Sequence, residues 1–208
     1  MKDLDSLGLR VRAGELEILD QTHLPQEEVW LKIHDTQTMI EAIVSLRVRG
    51  APLIGVAAAL SLAHSVEQGA DEGELTEAGA ALSAARPTAV NLKAAVDRVL
   101  AGKDKVREAE AIFSEDVELC EGMAAQGAAL INPGDGILTH CNSGGLATAG
   151  MGTGPGGDRR APGEGKTNPG YGGGTPPLLQ GARLATRGVA RPGIPPPPNL
   201  DHHADPAL

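Results

Sequence analysis

Glycine and proline divide this chain at Gly150, and the division limits what each part can fold into more than any other feature. Of the 15 prolines in the 208 residues, 11 lie beyond that point, and half of the 28 glycines lie from Gly150 onward. Proline removes a backbone donor and glycine raises the entropy lost on ordering, so Gly152, Gly154, Gly156, Gly157 and then Pro195-Pro196-Pro197-Pro198 deny a continuous helix or central strand. Such a segment buries too little apolar surface to offset its ordering, and residues 151–208 are expected to be a largely irregular remnant. Within it, only Leu178 to Leu184 still reads as a piece of globular protein.

Ahead of Gly150 the hydrophobic periodicity is regular. Leu9-Arg10-Val11-Arg12 and Leu16-Glu17-Ile18-Leu19 alternate about Ala13-Gly14, which predicts an antiparallel hairpin. Asp35 has the chemistry of a helix N-cap, and Met39, Ile40, Ile43 and Leu46 fall on one face of a helix expected to end at Gly50. Pro52 suits the first turn of the next helix, whose Leu53 to Val66 stretch is apolar nearly all round and should lie at the centre of the core. Two further helices are expected over residues 71–85 and 88–101, then a long one over 104–130 whose inner face carries Phe113 and Cys120. Trp30, Phe113 and Tyr171 are the only aromatic residues, so this core must be built from Ala, Leu, Ile and Val, and its helices should pack closely.

Charge and cysteine content narrow the function. Eighteen basic against 27 acidic residues leave a net charge of -9, which disfavours nucleic acid as a partner. Two cysteines in unlike settings do not suggest a disulfide framework and fit a reducing cytoplasmic location. No apolar run approaches the roughly 20 residues of a membrane-spanning helix, and the first residues do not read as a signal peptide. No membrane partner is therefore expected.

Three places carry candidate chemistry. The run Gly136 to Leu138 follows the turn signal Asn132-Pro133-Gly134-Asp135 and reads as a buried strand that delivers Cys141 to a crevice. A helix starting after Gly144-Gly145 would aim backbone amides at that thiol and activate it; the alternative is a small buried hydrophobe. His140 is a poor base for Cys141, because neighbours on a strand face opposite sides. Arg47-Val48-Arg49-Gly50-Ala51-Pro52 places guanidinium groups and a glycine just ahead of a helix amino end, which suits a phosphate, although both arginines equally fit a solvated helix end. Arg86 is similar, its direction restricted by Pro87. His23, His34 and His64 show no metal-ligand spacing, His202-His203 lie in the proline-rich end, and no metal site is expected.

Taken in order, Leu16 to Thr22 with Leu24-Pro25, Ser45 to Pro52, Arg86-Pro87-Thr88-Ala89-Val90-Asn91 and Thr139-His140-Cys141-Asn142 resemble the methylthioribose-1-phosphate isomerases of methionine salvage, which are related to the alpha, beta and delta subunits of initiation factor 2B. The resemblance is dense from about residue 8 to Gly150. It implies an α/β chain: a mainly helical amino-terminal domain with a small β-hairpin over residues 1–130, then an incomplete Rossmann-like domain. The first strand and turn of that second domain fall at 131–150, and the remnant at 151–208. It further implies that Arg49, Gly50, Ala51, Arg86 and Gln180 bind substrate, that Cys141 is one of two catalytic residues, that no cofactor is used, and that the intact protein is a homodimer.

The second catalytic residue of the pattern is an aspartate in a Gly-Ala-Asp-Arg-type motif, which does not occur in these 208 residues; nothing around Asp201 or Asp205 matches it. Negligible turnover is therefore expected of this stretch alone. After Gly150 the register of the family pattern persists while its content is replaced by Gly, Pro and Arg, as in a truncated chain with a degraded carboxyl-terminal part. Where the pattern has Asp-Glu-Thr-Arg-Pro ahead of Gln180, the chain reads Gly173-Gly174-Thr175-Pro176-Pro177. Two other functions fit the same blocks: isomerisation of ribose 1,5-bisphosphate, and a non-catalytic regulatory or dimerising role like that of the initiation-factor subunits.

Overall fold

The computed structural model describes residues 1–132, 134–140, 143–153 and 170–173. The chain divides into two compact units, Met1–Asp116 and Val117–Leu208.

The first unit opens with a four-stranded antiparallel sheet in the order β1 (Leu4–Asp5), β2 (Leu9–Arg12), β3 (Glu15–Leu19), β4 (Trp30–Ile33). The expected hairpin is its centre, in register Arg12↔Glu15 and Leu9↔Ile18. Ala13 and Gly14 both take positive φ, 50° and 80°, which matches the right-handed twist of the flanking strands. Leu9, Val11, Leu16, Ile18 and Ile33 point inward and are buried. On the other face Arg10 stacks 3.9 Å over the Trp30 ring while its Nε donates to Glu17. The outer strands β1 and β4 extend the hairpin on both sides, beyond what alternation in the sequence indicated.

Helices α1 (Thr36–Val44), α2 (Ala51–Glu67), α3 (Glu72–Ala85) and α4 (Val90–Ala101) follow. Asp35 caps α1 as expected, its carboxylate accepting from the Thr38 amide at 2.7 Å. A reciprocal capping box between Asp71 and Glu74 starts α3. Every residue of α2 from Leu53 to His64 is buried, so this helix is the axis of the core, packed by α1, α3, α4 and β3. Each fully buried Leu or Ile there contributes about 1.5–3 kcal/mol. Small residues make the packing close: Gly55 lies so near α4 that a Cβ there would meet the Asn91 carbonyl oxygen at 2.8 Å.

Helix α1 is shorter than its periodicity suggested. It ends at Val44, and Leu46, expected on its inner stripe, instead takes φ 63°. The Leu46 amide donates to Ile43, and the Arg47 and Val48 amides both donate to the Ala42 carbonyl, at 2.9 and 3.2 Å. This closure saturates the last carbonyls of the helix and places a left-handed residue where glycine is usual, at a cost of about 1–2 kcal/mol.

Helix α5 (Lys105–Leu130) runs from the first unit into the second. In the first unit Arg98 of α4 binds Glu108 and Glu115 of α5 together, its Nη atoms reaching the Glu115 carboxylate at 2.5 and 2.8 Å. In the second, Cys120 is buried on the inner face of α5, as the periodicity predicted. Strand β5 (Ile137–His140) pairs in parallel with β6 (Gly170–Gly173), in register Ile137↔Gly170. No helix begins in the described residues after Gly144-Gly145, contrary to expectation. Gly144 instead bridges to Gly152, the Thr153 amide returns to the Ser143 carbonyl at 2.9 Å, and Gly152 takes φ 96°, folding the chain back on itself. Gly150 in this fold-back packs on α5 so tightly that a Cβ would lie 2.7 Å from the Cys120 Cβ. Among the described residues no helix is long and apolar enough to cross a membrane.

Candidate functional site

Four of the six sequence-derived site residues fall in the first unit: Arg49, Gly50 and Ala51 at the α1–α2 junction, and Arg86 at the α3–α4 junction. Cys141 and Gln180, with Asn142 and the Leu178–Leu184 block, lie outside the described residues.

The start of α2 has no side-chain cap. Gly50 takes the N-cap position at φ 103°, ψ 128°, a conformation that glycine accepts without strain. Its carbonyl accepts from the Ile54 amide at 2.9 Å, but it has no side chain to cap the helix. The amides of Ala51 and Leu53, with Pro52 between them, have no intrahelical acceptor by geometry, and they stand at the positive end of a 17-residue helix. Ala51 is exposed and Gly50 half-buried, so the approach is open. Arg49, immediately before, is only 8% exposed.

Arg47 belongs to the framework rather than to the clamp suggested by its place in the motif. Its Nη1 donates to the buried Asp20 carboxylate, and its Nε contacts Glu41 of α1 at 3.2 Å. Asp20, whose side chain is 1% exposed, also accepts from the Thr22 amide at 2.9 Å and the Thr22 hydroxyl at 2.6 Å. Burial alone pushes the Asp20 carboxyl up, but the Thr22 hydrogen bonds and the Arg47 guanidinium outweigh it and hold the group below the usual carboxylate range. Sequence reasoning missed Asp20. It sits in the Leu16–Thr22 block that carried the resemblance, but nothing in the sequence pairs it with an arginine 27 positions on.

Arg86 caps the end of α3 at φ -143°, ψ 87°, and its carbonyl accepts from the Ala89 amide at 2.9 Å, a turn that leads into α4. Its guanidinium is half-buried and has no ion-pair or hydrogen-bond partner among the described residues. Like α2, α4 starts without a side-chain cap. The two starts are neighbours: Gly55, five residues into α2 and so about 7 Å along its axis, abuts Asn91, the second residue of α4. The fold thus brings the Arg49–Ala51 and Arg86–Asn91 blocks, some 40 positions apart in sequence, to one end of the helical core.

Two concavities of the first unit are lined by other residues. One of about 410 Å³ is lined by Gly14, Lys32, His34, His64 and Glu67. There His64 is buried, its Nδ1 lacks a hydrogen-bond partner among the described residues, and burial, with the His34 charge, depresses its pKa despite a hydrogen bond to the Gly14 backbone. Among the described residues no cluster of three or more His, Cys, Asp or Glu side chains has metal-binding geometry.

Comparison with known proteins gives the same blocks a family. The chain is 43% identical over 202 residues to methylthioribose-1-phosphate isomerase of Serratia proteamaculans, a match spanning 94% of this chain and 59% of that protein. The protein of that name from Klebsiella pneumoniae is 45% identical over the same shares. Among solved structures, 5-methylthioribose 1-phosphate isomerase from Pyrococcus horikoshii superposes with a TM-score of 0.84 at 31% identity, covering 95% of this chain and 60% of the other. The delta subunit of translation initiation factor eIF-2B from A. fulgidus superposes at 0.77 with 35% identity, over 87% and 57%. The chain therefore spans about three fifths of the length of these relatives. The Initiation factor 2 subunit family matches residues 47–162, from the α1–α2 junction through the fold-back after β5, and the chain belongs to that family.

Proposed function

We propose that the chain is the sugar-phosphate-binding part of an aldose–ketose isomerase that converts 5-methylthioribose 1-phosphate to 5-methylthioribulose 1-phosphate, a step of methionine salvage. The observation that supports this reading is the packing of Gly55, near the start of α2, on Asn91, near the start of α4: neither helix has a side-chain cap, and Arg49 and Arg86 precede them in sequence. The names of the similar isomerases supply the substrate.

In this reading the phosphate sits at the start of α2, held by the amides that follow Gly50 and by Arg49, with Arg86 adding charge from the α4 side. Glycine at position 50 lets the backbone approach an oxygen that a Cβ would keep away. Because the phosphate ester blocks simple ring opening at the anomeric carbon, the ring oxygen must take a proton as its bond to that carbon breaks. A hydrogen then passes from the second carbon to the first, and the hydroxyl on the second carbon loses its proton to become the ketone. Substrate and product are isomers, so electrons balance without a redox cofactor. Cys141 either shuttles the proton between the two carbons or stabilises the hydride path, and Gln180 contacts the sugar. The group that protonates the ring oxygen is, by the family pattern, an aspartate absent from the 208 residues. Without a positioned acid, turnover of this stretch alone falls by roughly two to four orders of magnitude. The intact enzyme is a cytoplasmic homodimer.

Binding separates this function from its rivals independently of turnover. Calorimetric titration of the 208-residue chain should give saturable binding of 5-methylthioribose 1-phosphate, weaker binding of ribose 1,5-bisphosphate, and loss of both in Arg49→Ala. Equal or tighter binding of the bisphosphate would reassign the substrate, and no binding of either sugar would remove the enzymatic reading.

A further inference from the structure

We propose that Asp20 is a positioning residue for the phosphate site: through Arg47 it fixes the backbone that presents Arg49, Gly50 and Ala51. The inference rests on the reading that this segment holds the phosphate, and it assigns a role to a residue that touches no ligand itself.

The geometry is a three-point clamp on one residue. The Arg47 side chain is held by the buried Asp20 carboxylate and by Glu41, its carbonyl accepts from the Gln21 amide at 2.8 Å, and its own amide donates to Ala42 at 2.9 Å. Asp20 is itself fixed by two hydrogen bonds from Thr22. Side chain, carbonyl and amide of Arg47 are therefore all committed, to the loop after β3 on one side and to α1 on the other. Two residues later comes Arg49, and three later the positive-φ Gly50 that opens α2. The segment between Val44 and Ala51 is not helical and contains a left-handed Leu46, so its path is not set by regular structure. The clamp sets it. A displacement of about 1 Å at an oriented site can cost on the order of a hundredfold, which is why a residue that only holds Arg47 matters to binding.

The groups facing Asp20 are the Arg47 guanidinium and, 3.7 Å away, Nε2 of the half-exposed His23 imidazole. Glu41 faces Arg47 from α1. Asp20→Asn keeps the shape of the side chain and an acceptor for Thr22 but removes the charge that holds the guanidinium. Asp5→Asn makes the same chemical change at an exposed pair with Arg12, outside the site.

The test uses the full 208-residue chain as wild type, Asp20→Asn, Asp5→Asn and Arg49→Ala. Binding of 5-methylthioribose 1-phosphate is measured by calorimetry, and amide hydrogen exchange at Gln21, Arg47 and Val48, whose amides are hydrogen-bonded around the clamp, is followed on the same samples. Asp20→Asn is expected to weaken the phosphorylated sugar by roughly tenfold or more, to speed exchange at those amides and to remain cooperatively folded. Asp5→Asn should match wild type. A merely structural role would lower the folded fraction and leave the affinity of the folded molecules unchanged, and that result overturns the proposal. So does wild-type affinity in Asp20→Asn when Arg49→Ala has lost binding, in which case the functional reading stands and the positioning role alone falls. A wild-type chain that binds no phosphosugar sinks both.

Discussion

Replacing Gly55 by alanine tests the packing that brings the two arginine blocks together. The added Cβ would stand 2.8 Å from the Asn91 carbonyl oxygen, 3.2 Å from its carbon and 3.4 Å from the Ala95 Cβ. Ordinary contact begins at about 3.4 Å, so α2 and α4 must part locally by about 0.6 Å, and the obstacle is backbone that no rotamer change can move aside. Overpacking of this kind typically costs about 1–3 kcal/mol, against which alanine regains about 1 kcal/mol of helix propensity. The expected net effect is a loss of about 1 kcal/mol, or roughly 2–4 °C in melting temperature for a chain of this size. Gly122→Ala is the internal control. That residue is also within a helix, but it is exposed and nothing lies within 4 Å of its Cβ position, so the substitution should stabilise by about 1 kcal/mol. Thermal unfolding of both variants against wild type measures the difference. Opposite signs are expected, together with weaker phosphosugar binding in Gly55→Ala alone, because Asn91 and the start of α4 shift. Equal stabilisation by the two substitutions would refute the close approach of α2 and α4.

The other expectations concern charge. His64 is held neutral in the fold, with its pKa below the unfolded value of about 6.5. As pH falls through 6.5 the unfolded chain takes up a proton that the folded one refuses, so stability declines on the acid side, and His64→Gln should flatten that slope in urea titrations between pH 7 and 5. The groups acting on His64 are His34, the amino terminus and the Gly14 backbone. Asp20 titrates in the opposite sense: its folded pKa is depressed, so its contribution is present above the unfolded value of about 3.9 and is lost as pH falls through the lower folded one. Asp20→Asn should lower stability at neutral pH and remove part of the loss seen below pH 4 in the same titrations. Arg86→Ala should leave the melting temperature near that of wild type, since no partner among the described residues is abandoned, while weakening the phosphorylated sugar by about tenfold or more in calorimetry.

Periodicity made the helical part of the fold legible. The uninterrupted apolar run of α2 and the three- and four-residue steps that turn Phe113 and Cys120 of α5 inward agree with the burial of those residues, because one repeated pattern has one face to bury. The hairpin was equally readable, but β1 and β4 were not: two residues carry no period, adjacent Trp30 and Leu31 break the alternation of β4, and only pairing with β2 and β3 makes them strands. Leu46 misled because it stands three residues after Ile43, as a helical stripe would require, whereas the chain uses it to end the helix. The glycines at 144 and 145 misled in the same way, since glycine serves a fold-back as readily as a helix start. For the proposed site, Arg49, Gly50 and Ala51 were nominated by their motif and Arg86 by its block. The separation of Arg47 from Arg49 was not readable, because it depends on Asp20 arriving from another element.

Whether Arg49 and Cys141 act on the same sugar phosphate, as proposed, is tested most directly by ligand protection of the thiol. Alkylation of Cys141 by iodoacetamide would be followed by peptide mass spectrometry across a titration of 5-methylthioribose 1-phosphate, with buried Cys120 as the slow internal reference. The account predicts that the sugar phosphate slows alkylation of Cys141, with half-protection at its calorimetric Kd, and that Arg49→Ala shifts the protection to higher concentration. Alkylation of Cys141 at an unchanged rate in the presence of saturating, demonstrably bound ligand would contradict it.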